Sequence, residues 1–556
     1  MPNLPNPAAL ADLRADLAAA RFTVDGVAGL LGEVAAAALD REQAICARRV
    51  LAAITRGQAP SEWPPLATLI SLFLLGDAMP AEALAAALPR FGVEVAMAVG
   101  LVSSGESGLH PLIDLRPHTV VGIVGDPEEN WWIAADPAEI ARRGPAKPDH
   151  VLGVGGASLT LLQATVRTPV RRVLDLGTGC GIQALHAARY AEHVVATDIS
   201  ERALAFARFN AALNLGDDAA KLDLRLGSML EPVAGEQFDL VVSNPPFVIT
   251  PRAEVMAKAL GEFEYRDGGQ AGDELICDLI ASVGKVLAPG GVAQFLGNWE
   301  HRAGKPWQDR LGVWLDAATD AEGEPLDAWV IQREVLDPAQ YAETWIRDGG
   351  TTPDRDPVAW AMAYRAWLND FAARDVVAVG FGIVTLRRPG RSRGTTGAGV
   401  VSSSTTEVGT SVGIAGERLR RIEEHAGAIR QPLGQHIAAS LVAHDWQVAR
   451  TDTELAAERL VVAADVTEER YFTPGQEDPN VIVLRQGDGL LRGVHASSPL
   501  AALVGACDGD LTLGELIGGI AHLYEVDAGA LAAELIPATR RLIRDGFLTP
   551  QERLAE

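Results

Sequence analysis

The amino-acid sequence predicts an α/β fold with a mostly parallel sheet for residues 149–390. Three observations lead to this prediction. Short apolar runs alternate with longer segments of helical periodicity. A glycine-rich turn at residues 177–181 joins the first run to a helix-like segment, and the tetrapeptide Asn-Pro-Pro-Phe (244–247) follows the fourth run. The predicted strands span residues 173–176, 194–198, 222–226, 240–243, 291–296, 329–335 and 376–386.

The ends of the first two strands carry the pattern of a nucleoside-binding site. Glycines in the turn after the first strand let the backbone approach a ligand closely where the chain enters a helix. The second strand ends at Asp198, a position from which a carboxylate can accept both hydroxyl groups of a ribose. The dinucleotide-binding fingerprint requires glycine where this chain has Ile182, so a nicotinamide or flavin cofactor fits poorly.

The tetrapeptide after the fourth strand is suited to holding a planar nitrogen. Two successive prolines make the turn stiff. The Asn244 carboxamide oxygen and the Pro245 carbonyl could accept the two hydrogens of an –NH2 group, and Phe247 could offer an aromatic face to a flat substrate. The structural alternative is a strand-to-helix loop that merely ends on a Pro-Pro pair.

Taken in order, these motifs resemble the class I S-adenosylmethionine-dependent methyltransferases. Within that class they resemble the Asn-Pro-Pro-aromatic branch, which methylates planar nitrogens and includes release-factor glutamine, amino-adenine and ribosomal guanine amino-group methyltransferases. The resemblance covers residues 150–390. It implies a Rossmann-like seven-stranded core whose last two strands form an antiparallel hairpin, with S-adenosyl-L-methionine as cofactor and no metal.

The resemblance also implies roles for individual residues. Asn244 is expected to contact both cofactor and substrate, and Ser228 and Met229 stand where relatives often carry an acid that binds the adenine amino group. Residues 265–269, with Gly272 and Asp273, resemble a glycine-rich segment of the release-factor branch. The expected cofactor-binding residues are Asp175, Gly177, Thr178, Gly179, Gly181, Asp198, Ser228, Met229 and Asn244, and the expected catalytic residues are Asn244, Pro245, Pro246 and Phe247.

The flanking regions are predicted to be separate domains. Residues 1–148 are helical, and their helix-turn-helix and hairpin pattern, with strands at 108–115 and 119–124, is winged-helix-like. Residues 391–418 are predicted as a flexible linker rich in Gly, Ser, Thr and Arg. Residues 419–556 are predicted as an α+β domain that is also winged-helix-like, with a turn at Gly509-Asp510. The N-terminal flank is interpreted as a protein-docking or purely structural domain, and both flanks are expected to dock the acceptor.

Charge and composition limit the partners. The net charge is −25, and acidic residues outnumber basic ones in every predicted domain, so naked DNA is a less favoured partner. An Arg-rich segment at 387–393 keeps structured RNA open as an alternative. The four cysteines have no disulfide or zinc spacing. The absence of a long uninterrupted apolar stretch or a signal-like N-terminus leads us to expect a cytoplasmic location and no membrane partner.

The leading functional prediction is methyl transfer to a planar amino or amide nitrogen, with a protein glutamine as the first choice of acceptor and a release-factor-like protein as partner. Base amino groups of rRNA, tRNA or DNA are the alternative, together with a small molecule or peptide. A different class of function is a scaffold or sensor that binds the cofactor without transferring its methyl group.

Overall fold

A computed structural model describes residues 2–120, 129–142, 147–251, 272–390 and 418–551. The chain divides into two compact units, one formed by Met1–Leu162 and Thr168–Pro389 and the other by Gln163–Arg167 and Gly390–Glu556. Most of the predicted linker, and residues 265–269, lie outside the described residues. The contacts do not divide the first unit at residue 148, and the assignment of 1–148 and 149–390 to separate domains stays a prediction.

The first unit begins with short helices followed by two strand pairs. Helices α1–α7 span Pro7–Ala19, Val24–Leu31, Glu33–Leu39, Ala44–Ile54, Pro65–Leu69, Ala81–Ala87 and Val93–Ala98, and strands β1–β4 span Val102–Gly105, Gly108–Pro111, Asp114–Thr119 and Asn130–Ala135. Strand β1 pairs with β2, and β3 with β4, both antiparallel. Strand β2 therefore pairs with β1 rather than with residues 119–124 as predicted, and residues 121–124 lie outside the described residues. Pro111 has no N–H to continue a ladder, and the Leu112 N–H donates instead to the Leu101 carbonyl at 2.9 Å.

Two asparagines join this N-terminal region to the α/β core. Asn210 and Asn214 lie one turn apart on the helix Glu201–Asn214, so their side chains share one face. Asn210 accepts from the Ala134 N–H and donates to the Ala134 carbonyl, both at 2.8 Å. Asn214 makes the same pair of bonds with Trp132, at 2.8 and 2.9 Å. The two asparagine side chains thereby form the hydrogen bonds with backbone N–H and carbonyl groups of β4 that a neighbouring strand would otherwise form.

Seven strands of the first unit form one mixed sheet. They are β5–β11, which span Val170–Leu176, Ala191–Asp198, Leu222–Leu226, Phe238–Ser243, Leu287–Arg302, Asp327–Leu336 and Val376–Arg387. Their order is β10-β11-β9-β8-β5-β6-β7. The strands from β9 to β7 are parallel, whereas β11 is antiparallel to both of its neighbours. The Rossmann-like core predicted from the sequence is confirmed, including its final antiparallel hairpin.

The helices of the core connect these strands. Helices α8–α14 span Gly156–Ala164, Ile182–Ala187, Glu201–Asn214, Glu274–Ser282, Trp307–Asp316, Pro338–Asp348 and Pro357–Ala373. The last two fill the long insertion between β10 and β11. Each begins with proline after an aspartate N-cap, since Asp337 accepts from the Gln340 N–H and Asp356 from the Ala359 N–H, both at 2.9 Å.

The second unit contains small sheets and helices. Strands β12–β18 span Arg420–Glu424, Arg459–Val462, Thr467–Tyr471, Val481–Arg485, Gly493–His495, Asp508–Thr512 and Leu548–Pro550, and helices α15–α19 span Leu433–Val448, Asp452–Ala456, Ser498–Gly505, Leu513–Tyr524 and Ala528–Arg544. The predicted turn at Gly509-Asp510 instead lies inside β17, which pairs with β13. Gly509 accommodates the positive φ of 91° at that point.

Among the described residues, no single helix is both long and apolar enough to cross a membrane. One bent pair, Pro7–Leu31 with Glu33–Leu39, meets the criterion only when its two parts are taken together.

Candidate active site

A cavity of about 550 Å³ lies at the carboxyl ends of β5, β6 and β8. The order of the sheet reverses between β5 and β8, and ligands of open α/β sheets bind at such a switch point. The structure brings most of the predicted site residues together in its wall: Gly177, Thr178, Gly179, Asp198, Ser228, Met229, Asn244, Pro245 and Pro246. Asp175, Gly181 and Phe247 are not among the lining residues.

The glycine-rich turn gives the cavity an open backbone wall. Gly177 and Gly179 have φ values of 73° and 54°, and a Cβ added at either would meet no protein atom within 4 Å. The N–H groups of Gly177 and Thr178 both donate to the Thr197 carbonyl at 2.9 Å, which fixes the turn to the end of β6. The turn is therefore rigidly placed while the space beside it stays free for a ligand.

Asp175 is bonded within the protein and is not among the lining residues. Its Oδ2 accepts from the Thr178 hydroxyl at 2.5 Å and from the Ala184 N–H at 3.0 Å. The side chain is buried, and burial raises its pKa to about 7. Asp175 therefore ties the glycine-rich turn to the helix that follows it, and the expected direct contact with the cofactor is not supported.

Gly181 also has a packing role. Its φ is 89°, and an added Cβ would lie 3.0 Å from Ala207, a residue of α10. A side chain at this position would strain the backbone and push α10 away from the turn. Gly181 thus allows close helix packing, and the cofactor contact predicted for it stays a prediction.

Asp198 lies where the ribose carboxylate was predicted. Its Oδ2 accepts from the Gly179 N–H and its Oδ1 from the Ser200 N–H, each at 2.9 Å. Burial raises the pKa of this carboxyl group, while the backbone N–H donors oppose that shift. A carboxylate has about four acceptor positions, so both oxygens keep capacity for ligand hydroxyl groups.

The loop after β7 brings Ser228 and Met229 to the cavity wall. Gly227 precedes them, and its N–H donates to the Asp198 carbonyl at 2.9 Å. Met229 adopts a φ of 47°, which is uncommon for a residue with a side chain. Two neighbouring loops are thus held together next to the Asp198 carboxylate.

Asn244 presents an unsatisfied acceptor at the cavity. Its Oδ1 is buried and has no hydrogen-bond partner among the described residues. The preceding Ser243 hydroxyl donates to the Leu176 carbonyl at 2.8 Å, which locks the ends of β8 and β5 together. A buried carboxamide oxygen without a partner costs free energy, so this atom is suited to receiving a donor from a ligand.

Phe247 is half-buried and is not among the residues that line the cavity. It makes edge contacts with Trp345 and Phe381, with centroid distances of 6.4 Å in both cases. The predicted stacking of Phe247 on a substrate is not supported by its position. Trp345, from α13, lines the cavity instead.

Several lining residues were not predicted as site residues: His150, Val151, Leu152, Leu275, Trp345 and Asp348. The segment 153–158 contributes five residues to the wall and leads into α8. Its position is fixed by the Gln183 side chain, which donates to the Ser158 carbonyl at 2.9 Å. No local signal in the sequence places α13, which carries Trp345 and Asp348, beside the cavity.

The lining residues fit S-adenosyl-L-methionine. The open glycine turn can accommodate the amino-acid part, the Asp198 carboxylate can bind ribose hydroxyl groups, and the loop with Ser228 and Met229 lies next to that carboxylate. The cavity volume of about 550 Å³ is in the range of small-molecule sites.

Comparison with protein families defines the class of this domain. Residues 153–260 match the methyltransferase small domain, which together with the sheet order identifies a class I S-adenosylmethionine-dependent methyltransferase domain. Residues 19–112 and 439–550 match two domains of unknown function, DUF7059 and DUF7782. The extra domains predicted on both sides of the core coincide in part with these two matches.

Curated relatives resemble part of this chain. The release factor glutamine methyltransferase of Geobacter sulfurreducens is 36% identical over 124 residues, which are 21% of this chain and 42% of the relative. The ribosomal protein uL3 glutamine methyltransferase of Bradyrhizobium diazoefficiens is 32% identical over 167 residues, 28% of this chain and 50% of the relative. The chain thus spans half or less of the length of these relatives.

A similar solved structure is the ribosomal protein L11 methylase of Lactobacillus delbrueckii subsp. bulgaricus, with 19% identity, coverage of 44% of this chain and 84% of that chain, and a TM-score of 0.23.

Proposed function

We propose that this protein is an S-adenosylmethionine-dependent N-methyltransferase that methylates the side-chain amide of a protein glutamine. The observation that carries the proposal is the Asn244 Oδ1 atom, which is buried at the cavity and lacks a partner among the described residues. An –NH2 group of the acceptor would satisfy this atom. The names of the relatives, which modify glutamine in release factors and in ribosomal protein uL3, support a protein acceptor.

In this proposal the protein acts by positioning. S-adenosyl-L-methionine, when bound, supplies an electrophilic methyl group. Asn244 Oδ1 and the Pro245 carbonyl accept the two amide hydrogens and aim the nitrogen at that methyl group. Both acceptors interact more strongly as the nitrogen becomes positively charged, which lowers the barrier. Pro246 keeps this turn rigid, and the proton leaves to water.

The cofactor would be held by the open turn at Gly177, Thr178 and Gly179, by Asp198, and by Ser228 and Met229. Asp175 and Gly181 would support that turn from behind. The described lining residues include the carboxylates of Asp198 and Asp348 but no Lys or Arg. Their charge favours an uncharged amide acceptor over a nucleotide carrying phosphate.

The partner in this proposal is a release-factor-like or ribosomal protein, with the flanking regions docking it. Such acceptors are made and used in the cytoplasm, and we propose that location. Structured RNA is the alternative partner, and naked DNA is less favoured because the net charge is −25.

The test is to incubate the purified full chain with S-adenosylmethionine labelled in its methyl group and with separate fractions of cell protein, RNA, DNA and metabolites. The proposal expects the label in protein, in methylated glutamine after complete digestion. Label in nucleotides or metabolites would show that the acceptor is a nucleic acid or a small molecule instead of a protein. Binding of S-adenosylhomocysteine without transfer to any fraction would support the scaffold or sensor alternative.

A further inference from the structure

We infer that Trp345 positions the acceptor, by packing its ring against the methylene stem of the glutamine whose amide nitrogen reaches Asn244. This inference rests on the proposed function. Trp345 comes from α13, in the insertion between β10 and β11, about 100 residues along the chain from the Asn-Pro-Pro-Phe loop. It lines the same cavity as Asn244, Pro245 and Pro246.

The first support is that α13 is bonded directly to the chain that follows the acceptor loop. The Tyr341 hydroxyl oxygen accepts from the Ile249 N–H at 2.9 Å and from the Asn298 side-chain amide at 2.8 Å. Ile249 is two residues after Phe247, and Asn298 lies on β9. One buried hydroxyl therefore fixes the helix relative to both the loop and the sheet.

The second support is the apolar packing around this hydroxyl. Val248, Ile249, Tyr341 and Ile346 belong to one buried cluster, together with Trp367 of α14. Tyr341 is fully buried and stacks on Phe381 with ring centroids 5.6 Å apart. The insertion is thus a packed part of the site, and its helix cannot slide without disturbing the loop.

The third support is the place of Trp345 on the helix. It follows Tyr341 by four residues, so both side chains lie on the same face of α13. The ring centroids of Phe247 and Trp345 lie 6.4 Å apart, with an angle of 79° between the rings. The ring is thereby held in the wall beside Pro245 and Pro246, where it can cover an aliphatic stem while Asn244 binds the amide.

The test measures kcat, the KM for the acceptor and the affinity for S-adenosylhomocysteine, all with the full chain. The acceptor is the unmethylated form of the protein fraction that takes up label in the experiment above. Loss of contact with two methylene groups corresponds to about a tenfold rise in KM for Trp345→Ala. Cofactor affinity should stay unchanged, and Trp345→Phe should restore most of the KM. The matched control is Trp360→Ala on α14, because Trp360 stacks on Tyr364 and does not line the cavity.

Wild-type KM in both Trp345 variants would overturn the inference, provided that Asn244→Ala has lost turnover. A fall in cofactor affinity parallel to the rise in KM would also overturn it, because Trp345 would then hold the cofactor. If Trp345→Ala fails to fold, Trp345→Leu takes its place, with a rise in KM again expected because the flat ring is lost, and wild-type KM in Trp345→Leu would overturn the inference. A wild-type chain that transfers no methyl group overturns the proposed function itself, and this inference with it.

Discussion

The two ends of the cavity are built differently. At the end with the glycine turn, polar groups already have protein partners: Asp198 accepts two backbone N–H groups and Thr178 donates to Asp175. At the other end, Asn244 Oδ1 is buried without a partner among the described residues, and an aromatic wall from a distant insertion stands beside it. At the first end the carboxylate and the turn are bonded within the protein before a ligand arrives, although the Thr197 Oγ1 atom beside them has no described partner. At the other end the acceptor oxygen itself is left for the ligand.

This difference predicts different consequences of mutation. Groups that are already satisfied hold the shape of a binding site, so their loss should weaken binding. An acceptor left unsatisfied in the ligand-free protein gains its partner only from the substrate, so its loss should slow the reaction. Substitutions at the two ends can therefore separate affinity from turnover.

The largest effect is expected for Asn244→Ala. Turnover should fall about 100-fold or more while affinity for S-adenosylhomocysteine stays unchanged, because the lost bond orients the reacting nitrogen. Steady-state kinetics and calorimetry measure the two quantities. Asn244→Asp is the matched control, since it keeps an acceptor oxygen and should retain more activity than the alanine variant. Wild-type turnover in Asn244→Ala would show that the loop is only structural.

The sequence predicted the glycine-turn end better than the acceptor end, for a physical reason. The turn and Asp198 follow directly from strands whose pattern is local, and all seven strands of the core were found. The packing roles of Asp175 and Gly181 depend on neighbours such as Ala184 and Ala207, which no spacing reveals. Trp345 reaches the site only through tertiary packing of α13, so its position could not be read from the sequence.

The next effect is expected for Asp198→Ala, at the end with the glycine turn. Affinity for S-adenosylhomocysteine should fall at least about tenfold, because charge-assisted bonds to ribose hydroxyl groups are each worth about 1.5–3 kcal/mol. Calorimetry measures this loss. Asp198→Asn, which keeps one acceptor oxygen, should lie between the alanine variant and the wild type. Unchanged affinity in Asp198→Ala would contradict the assignment of Asp198 to the ribose. It would also contradict the expectation that substitutions at this end of the cavity weaken cofactor binding.

A smaller effect, in the opposite direction, is expected for Ser228→Asp. A charged acceptor makes a hydrogen bond about twice as strong as a neutral one, so affinity for S-adenosylhomocysteine should rise about threefold if this loop faces the adenine amino group. Ser228→Ala is the control and should change affinity by less than about twofold. Competition binding against the wild type resolves such differences. Weaker binding in Ser228→Asp would place the adenine elsewhere.

The smallest effect is expected for Asp175→Asn at pH 5. Burial raises the pKa of Asp175 to about 7. The folded chain therefore keeps a proton that the unfolded chain releases above its ordinary pKa of about 4. Unfolding then releases a proton between about pH 4 and pH 7, so the free energy of unfolding of the wild type should fall as pH rises through that range.

An asparagine oxygen can accept the same two hydrogen bonds without a charge, and at pH 5 the variant should differ from the wild type by less than about 1 kcal/mol. Denaturant unfolding at pH 5, 6 and 7 should show the wild type losing stability relative to Asp175→Asn with each step. Parallel profiles would mean that Asp175 is ionised throughout this range, and the carboxylate would then hold the glycine turn as a charged group.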